Sequence, residues 1–391
     1  MNTSVDNYNN ILKPYASNKA NYQGRFYEES ESIYRSEYQR DRDRVIHCSS
    51  FRRLKHKTQV FVYYEGDHFR TRLTHSLEVS QVARSIARYM GLNEDLCETL
   101  SLAHDLGHTP FGHAGEDVLS DCMNAYGGFD HNIQSLRILL LLENIYEKFS
   151  GLNLSINTID GLLKHNGPIS HQNKVLSLLP DLKKYKINLN TFGSLEAQVS
   201  SLSDDIAYNN HDIDDGLRAN FFTIDDLREI PILKDIIKET YDKNSKKNNY
   251  KLVRRLIDYM VTDLIETSKK NIELSNISSL IDVCDSNVQI VNFSETTKDL
   301  IKNIKSFLFL NMYKHPHIQK WSDQSKVIID KIFSYYVKNY SKIEKNFNNK
   351  ESRERNISDY ISGMTDKYAI DLYNSIKWIF LNYIKINFAN Y

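Results

Sequence analysis

Residues 76–116 read SLEVSQVARSIARYMGLNEDLCETLSLAHDLGHTPFGHAGE. Val79, Val82, Ala83, Ile86, Ala87 and Met90 recur at the spacing of a single helical face, with Glu78, Arg84 and Arg88 on the opposite side. The pattern predicts an amphipathic helix from about Ser76. A second helix should start near Asn93, whose side chain can cap it, turn Leu96, Leu100 and Ala103 inward, and stop at Gly107. His104 and Asp105 then fall in its last turn, and after a Gly/Pro turn a third helix opens past Gly112. The same period returns at roughly 132–148, 194–212, 251–271, 296–312 and 324–342. With only 6 prolines and 14 glycines in 391 residues, an all-α bundle is the economical reading. Lys243–Asn249 (KNSKKNN) and Asn346–Arg355 (NFNNKESRER) are polar and aperiodic, and are expected to be exposed loops.

Charge and cysteine content exclude several classes. The 50 basic and 50 acidic side chains cancel, so no global field draws in nucleic acid or an anionic membrane. The start, MNTSVDNYNN, lacks a basic stretch followed by an apolar one, and apolar runs such as 138–142 are too short to span a bilayer. The expectation is a cytoplasmic protein without a membrane partner. Cys48, Cys97, Cys122 and Cys284 stand far apart, which argues for reduced, mostly structural thiols over a disulfide framework or a thiolate zinc site.

The chemistry concentrates in His75, His104-Asp105 and the acidic pair Asp204-Asp205. Two imidazoles and two carboxylates would neutralise a divalent cation and leave positions open for water and substrate, as hydrolysis requires. An isolated His-Asp pair is as a rule only a helix cap. Here residues 103–116 gather three histidines and two acids around a turn, an arrangement that is costly unless something binds. His113 and Glu116, three residues apart, share one face of the helix after Gly112, so the carboxylate can orient the imidazole for proton transfer. Arg72, His108 and His131 are candidate local cations for a phosphate chain, Arg72 lying three residues before His75. Lys164 and His165 read more simply as cations at a helix C-terminus. Tyr208 and Asp212 follow Asp204 at i+4 and i+8, and so face the same cavity.

The ordered set HDLGHTPFGHAGE, RDRDRVIHCSSFRRLKHKTQVF (40–61), RTRLTHSLEV (70–79), FDHNIQSLRIL (129–139), LLKHNG (162–167), SLEAQVSSLSDDIAYNNHDIDDGLRA (194–219) and YISGMTDKYA (360–369) resembles the deoxyguanosine triphosphate triphosphohydrolase (dGTPase)-like family of HD-domain proteins. The likeness is dense from about residue 20 to 216 and thinner beyond. It implies an N-terminal segment (1–25), an HD-type metal phosphohydrolase core (26–216) and a helical C-terminal region packed on it (217–391). It also implies His75, His104, Asp105 and Asp204 as metal ligands, a choice between Asp204 and Asp205 that spacing leaves open. By the same resemblance His113 and Glu116 form the catalytic pair, Tyr208 packs on the deoxyribose, Asp212 accepts from the sugar 3′-hydroxyl, and Gln59 and Val60 flank sugar or base.

The implied reaction splits a deoxynucleoside triphosphate (dNTP) into deoxynucleoside and inorganic triphosphate by attack of water at the α-phosphorus, with one divalent metal per site, Mg²⁺ or Mn²⁺. Relatives assemble as oligomers, so a homo-oligomer is expected. Lys367 stands where the family usually has arginine, which weakens a bidentate phosphate role there. The alternatives are another HD-domain nucleotide phosphatase or phosphodiesterase, or a non-catalytic regulator binding dNTPs or single strands. Intact ligands speak against a silent protein, and the lack of an aromatic-basic stripe speaks against nucleic acid as main partner.

Overall fold

The computed structural model describes residues 11–60, 69–347 and 351–388. The first ten residues of the expected N-terminal segment, and Phe61 at the end of the 40–61 motif, lie outside these. Within the described residues the chain is helical, with two isolated bridges, Arg25 to Ser155 and Thr58 to Thr71, and no strand. The all-α expectation holds. Its principal helices are α1 (Glu37–His47), α2 (Arg72–Met90), α3 (Glu94–Ala103), α4 (His113–Cys122), α5 (His131–Arg137), α6 (Leu195–Arg218), α7 (Asn248–Leu274), α8 (Glu295–Leu308), α9 (Pro316–Lys338), α10 (Arg353–Ser362) and α11 (Asp366–Phe388).

Helix α2 starts four residues before the expected Ser76. Thr71 and Thr74 form a reciprocal capping box there, a polar signal that hydrophobic periodicity does not register. Asn93 caps α3 by accepting the Leu96 N–H at 3.2 Å, as expected. The α-helix ends at Ala103, however, and His104 to Gly107 tighten into a 3₁₀ turn. The stretch expected to be helical to 148 is α-helical only to Arg137 and closes with a π turn at Ile138–Leu142. Glu143 is then drawn away to accept from the N–H and hydroxyl groups of Ser49 and Ser50. Helix α9 starts at Pro316 and stops at Lys338, both earlier than its periodicity suggested, and α7 takes up Asn248 and Asn249 from the supposed 243–249 loop. Of the other supposed loop, 348–350 lie outside the described residues, and Arg355 is not exposed at all. It is 3% accessible and donates to the carbonyls of Tyr126 and Gly128.

Three apolar clusters are held together by these helices. One joins α2 and α6 to α7 and α8 through Ile86, Ile206, Ile213, Met260 and Leu300, so it runs across position 217. A second packs α1 and α3 around Leu96, Leu100 and Leu139. In the third, Leu119 of α4 meets Ile329 and Ile332 of α9 and Ile357 of α10. The turn carrying His104 and Asp105 is clamped between α3 and α5. Gly107 allows this approach, because a Cβ there would lie 2.1 Å from the His131 carbonyl oxygen. Ser135 completes the clamp, accepting the Gly107 N–H at 2.8 Å and donating to the His104 carbonyl at 2.7 Å.

Candidate active site

Twelve side chains singled out in the sequence meet in one cavity of about 670 Å³: Gln59, Val60, Arg72, His75, His104, Asp105, His108, His113, His131, His165, Asp204 and Tyr208. Helix α2 contributes Arg72 and His75 from one face of its first turn, the 3₁₀ turn contributes His104 and Asp105, and α6 contributes Asp204. His75 Nε2 lies 2.9 Å from Asp204 Oδ1, and His104 Nε2 lies 3.5 Å from Asp105 Oδ1 and 3.7 Å from Asp204 Oδ1. His104 Nδ1 donates to the Ser101 carbonyl at 2.7 Å, which in the neutral ring makes Nε2 a buried lone pair; Nε2 has no hydrogen-bond partner among the described residues. Carbonyl-anchored imidazoles of this kind are the usual support of a metal ligand.

The electrostatics demand positive charge at this point. Burial opposes protonation of His104, but the Asp105 and Asp204 carboxylates outweigh it and push the imidazole up to about 9. Burial likewise works against the charged forms of the two carboxylates, yet both are held well below the usual range. Arg72, His104 and His108 act on Asp105, and His104, His165 and His75 on Asp204. Two imidazoles and two carboxylates facing one point fit a divalent cation, with Asp204 keeping 30% of its side chain open to the cavity. Asp205 pairs instead with Lys305 at 2.6 Å.

Several details depart from what spacing suggested. Glu116 does share a helical face with His113, but its nearest imidazole is His131, whose Nδ1 lies 2.8 Å from Oε1; His113 Nδ1 is 3.4 Å from Oε2. Helix geometry allows the 113–116 pair, whereas the approach of α5 decides the 116–131 one. Burial would raise the Glu116 carboxyl, but hydrogen bonds from His113 and His131 overcome it and leave the group well below its normal value. Arg72 is 2% exposed and donates to Asp105 Oδ2 at 2.8 Å, so one arm of its guanidinium is committed to that carboxylate. Burial, with Arg72 and His131 nearby, holds His108 well below the ordinary imidazole range. His165, read from sequence as a helix-end cation, stands 3.6 Å from Asp204 Oδ2 and stacks on His104. Lys164 follows the simpler reading, pairing with Asp160 of its own helix at 2.6 Å.

Asp212 is 1% exposed and does not line the cavity; Tyr313 covers it, its hydroxyl donating to Asp212 Oδ2 and accepting from the Tyr208 hydroxyl. Tyr313 was missed by sequence reasoning, as were Lys305, Lys314, Trp321 and Lys326, which wall the same cavity from the end of α8, the following π turn and α9. Periodicity located those helices but gave no chemical signal. Lys57 and Asp366 were missed too. The Lys57 ammonium donates to the His108 and Ser362 carbonyls, and Asp366 accepts the N–H groups of Thr58 at 2.8 Å and Phe111 at 2.9 Å. They brace a loop in which Phe111 and Gly112 both have positive φ, 64° and 57°.

Comparison with known proteins agrees with this geometry. Residues 72–202 match the HD domain and residues 291–375 the phosphohydrolase-associated domain, carrying the family pattern into the third of the chain where sequence motifs looked sparse. A deoxyguanosinetriphosphate triphosphohydrolase-like protein of Pelagibacter ubique is 53% identical over 380 residues, 95% of this chain and 100% of that one. Proteins of the same name from Bartonella quintana and Rickettsia bellii are 45% and 44% identical over 96% and 94% of this chain and 98% of each relative. No helix among the described residues is long and apolar enough to cross a membrane. The HD-domain match, the near full-length relatives and the clustered His and Asp side chains place this chain in the deoxyguanosinetriphosphate triphosphohydrolase-like family of HD phosphohydrolases.

Proposed function

We propose that the protein is a divalent-metal-dependent dNTP triphosphohydrolase, releasing deoxynucleoside and inorganic triphosphate. The observation that carries this reading is the meeting, in one cavity of ligand-binding size, of the His75, His104, Asp105 and Asp204 donor set with Arg72, His108, His113 and His131, the last two in contact with Glu116 behind them. A divalent cation held by the first four, Mg²⁺ or Mn²⁺, supplies Lewis-acid polarisation of a phosphoryl oxygen and a more acidic water. The remaining side chains supply what the cation does not. Arg72 and the lysines 314 and 326 offset part of the roughly four negative charges of a triphosphate, and His108 offers it a neutral imidazole. His113, 69% exposed at the start of α4 and within reach of Glu116, is free to turn toward the leaving oxygen and deliver a proton. Tyr208 and Tyr313 form the wall where a deoxyribose packs and a 2′-hydroxyl would be crowded, and Asp212 behind them takes the 3′-hydroxyl once Tyr313 gives way.

Incubation with each dNTP and with GTP, plus Mg²⁺ or Mn²⁺, tests the reading. Ion-exchange chromatography should show deoxynucleoside and intact triphosphate. Stepwise orthophosphate release would sink it. Glu116→Ala should retain the cation at His75, His104, Asp105 and Asp204 while turnover falls about 10²–10⁴-fold, the usual worth of a proton-transfer group.

A further inference from the structure

The part of the cavity wall that leads into His113 is held from the far end of the chain. Residues 108–111 join the 3₁₀ turn to α4, and this link is gripped at both ends. At one end the Lys57 ammonium donates to the His108 carbonyl and, at 2.7 Å, to the Ser362 carbonyl. At the other, Asp366 Oδ1 accepts the Phe111 N–H at 2.9 Å across 255 positions of sequence, while Oδ2 accepts the N–H of Thr58 at 2.8 Å and also its hydroxyl. Lys57 is 2% exposed and Asp366 0%, so water does not compete for these bonds.

The conformation held in this way is one the link would not keep unaided. Phe111 sits at φ 64°, a region that residues other than glycine seldom occupy, and Gly112 follows at φ 57° and ψ −132°. Such backbone persists only where its surroundings over-determine it. Here they do. Thr109 donates its hydroxyl to the Gly112 carbonyl at 2.9 Å, and a Cβ at Gly115 would lie 2.1 Å from the Pro110 carbonyl oxygen. Gly112 gives α4 no side-chain cap, so the direction in which α4 leaves, and with it the aim of His113 on its first turn, is set by this backbone.

We infer that Lys57 and Asp366 are positioning residues: together they lock residues 108–112 so that His113 is aimed at the leaving oxygen, which makes residues 362–366 of the C-terminal region part of the active site's support. The grip on the link stands on the contacts alone, and its consequence for turnover rests on the proposed function. A brace of the fold in general would change stability and leave the chemistry of the folded protein as it was.

Two substitutions untie the grip in full-length protein. Asp366→Asn sets an amide NH₂ against one of the two backbone N–H donors, and Lys57→Met keeps the aliphatic stem but loses both carbonyl bonds. Either should lower kcat for dNTP hydrolysis about 10–100-fold, with KM changed less than about threefold. Added to His113→Ala, either should cost less than about twofold more, because the group they aim is already gone. Full kcat in the folded single variants, or losses that multiply in the double ones, overturns the positioning role. Hydrogen–deuterium exchange reads the grip without nucleotide: peptides covering 108–113 should exchange about tenfold faster in both variants, while α2 and α3 keep wild-type rates. Unchanged exchange at 108–113 overturns the inference, as does faster exchange throughout, the mark of a general brace. A wild type that hydrolyses no dNTP, with the local exchange effect present, overturns the proposed function and leaves the grip standing.

Discussion

The substitution Asp212→Asn should remove a pH-dependent destabilisation built into α6. Asp212 is 1% exposed, and burial is the main cause that lifts its carboxyl from 3.8 to about 7; the Asp215 charge adds to this, while the Tyr313 hydrogen bond and the charges of His75 and Arg70 oppose it. Between these two values the folded chain holds a proton at Asp212 that the unfolded chain has released. Stability is therefore fully present below about pH 4 and is lost as pH rises through 7. At about 1.36 kcal/mol per unit, the loss approaches ~4 kcal/mol. The asparagine amide would match the protonated acid in shape and never ionise. The two proteins should thus be of similar stability near pH 4, with the variant gaining about 1 kcal/mol per unit until the curves run parallel above pH 7 to 8. Asp215, raised by burial to about 6, is present in both and largely cancels in the difference. Urea unfolding of chelator-treated protein at pH 4.5, 6, 7 and 8 reads the effect as a growing gap between midpoints. A gap that stays constant to within ~1 kcal/mol over the range would refute the reasoning, since Asp212 would then be ionised throughout.

Three other perturbations follow from the same geometry. His104→Ala should abolish both Mn²⁺ retention and turnover, read by metal analysis beside product formation, because it removes one of the four proposed ligands and the stacking partner of His165. Arg137 and Asp359 form a buried pair, each side chain 1% exposed and 2.7 Å apart; Arg137→Met should cost about 3–5 kcal/mol in urea unfolding by stranding the carboxylate, and Asp359→Leu added to it should recover part of the loss. Gly107→Ala should lower stability by about 1–3 kcal/mol and depress turnover out of proportion, because its Cβ would press on the His131 carbonyl and part the turn bearing His104 and Asp105 from α5.

Helical period, caps and motif order made much of this molecule legible in advance. The face of Val79, Val82, Ala83, Ile86, Ala87 and Met90 is buried as its spacing implied, and Asn93 caps where its side chain allows. These are local properties, set by neighbours three or four residues away. The limits of local reading show in His165, whose position at a helix end hides its place beside Asp204, and in Arg355, whose charged surroundings suggested a loop although it is buried against 126–128.

By itself the sequence determined that the chain is helical and which histidines and acids are clustered along it, because hydrogen-bonded turns and capping depend on residues close in order. Only the tertiary structure decided which of those groups meet. Glu116 turns to His131 because Gly107 lets α5 approach the 3₁₀ turn, and Asp204 rather than Asp205 faces His75 and His104 because α6 packs on α2 with that side inward. Tyr313 and the lysines arrive from a hundred residues downstream on helices whose apolar faces recorded the packing, while nothing in the polar side chains recorded the destination.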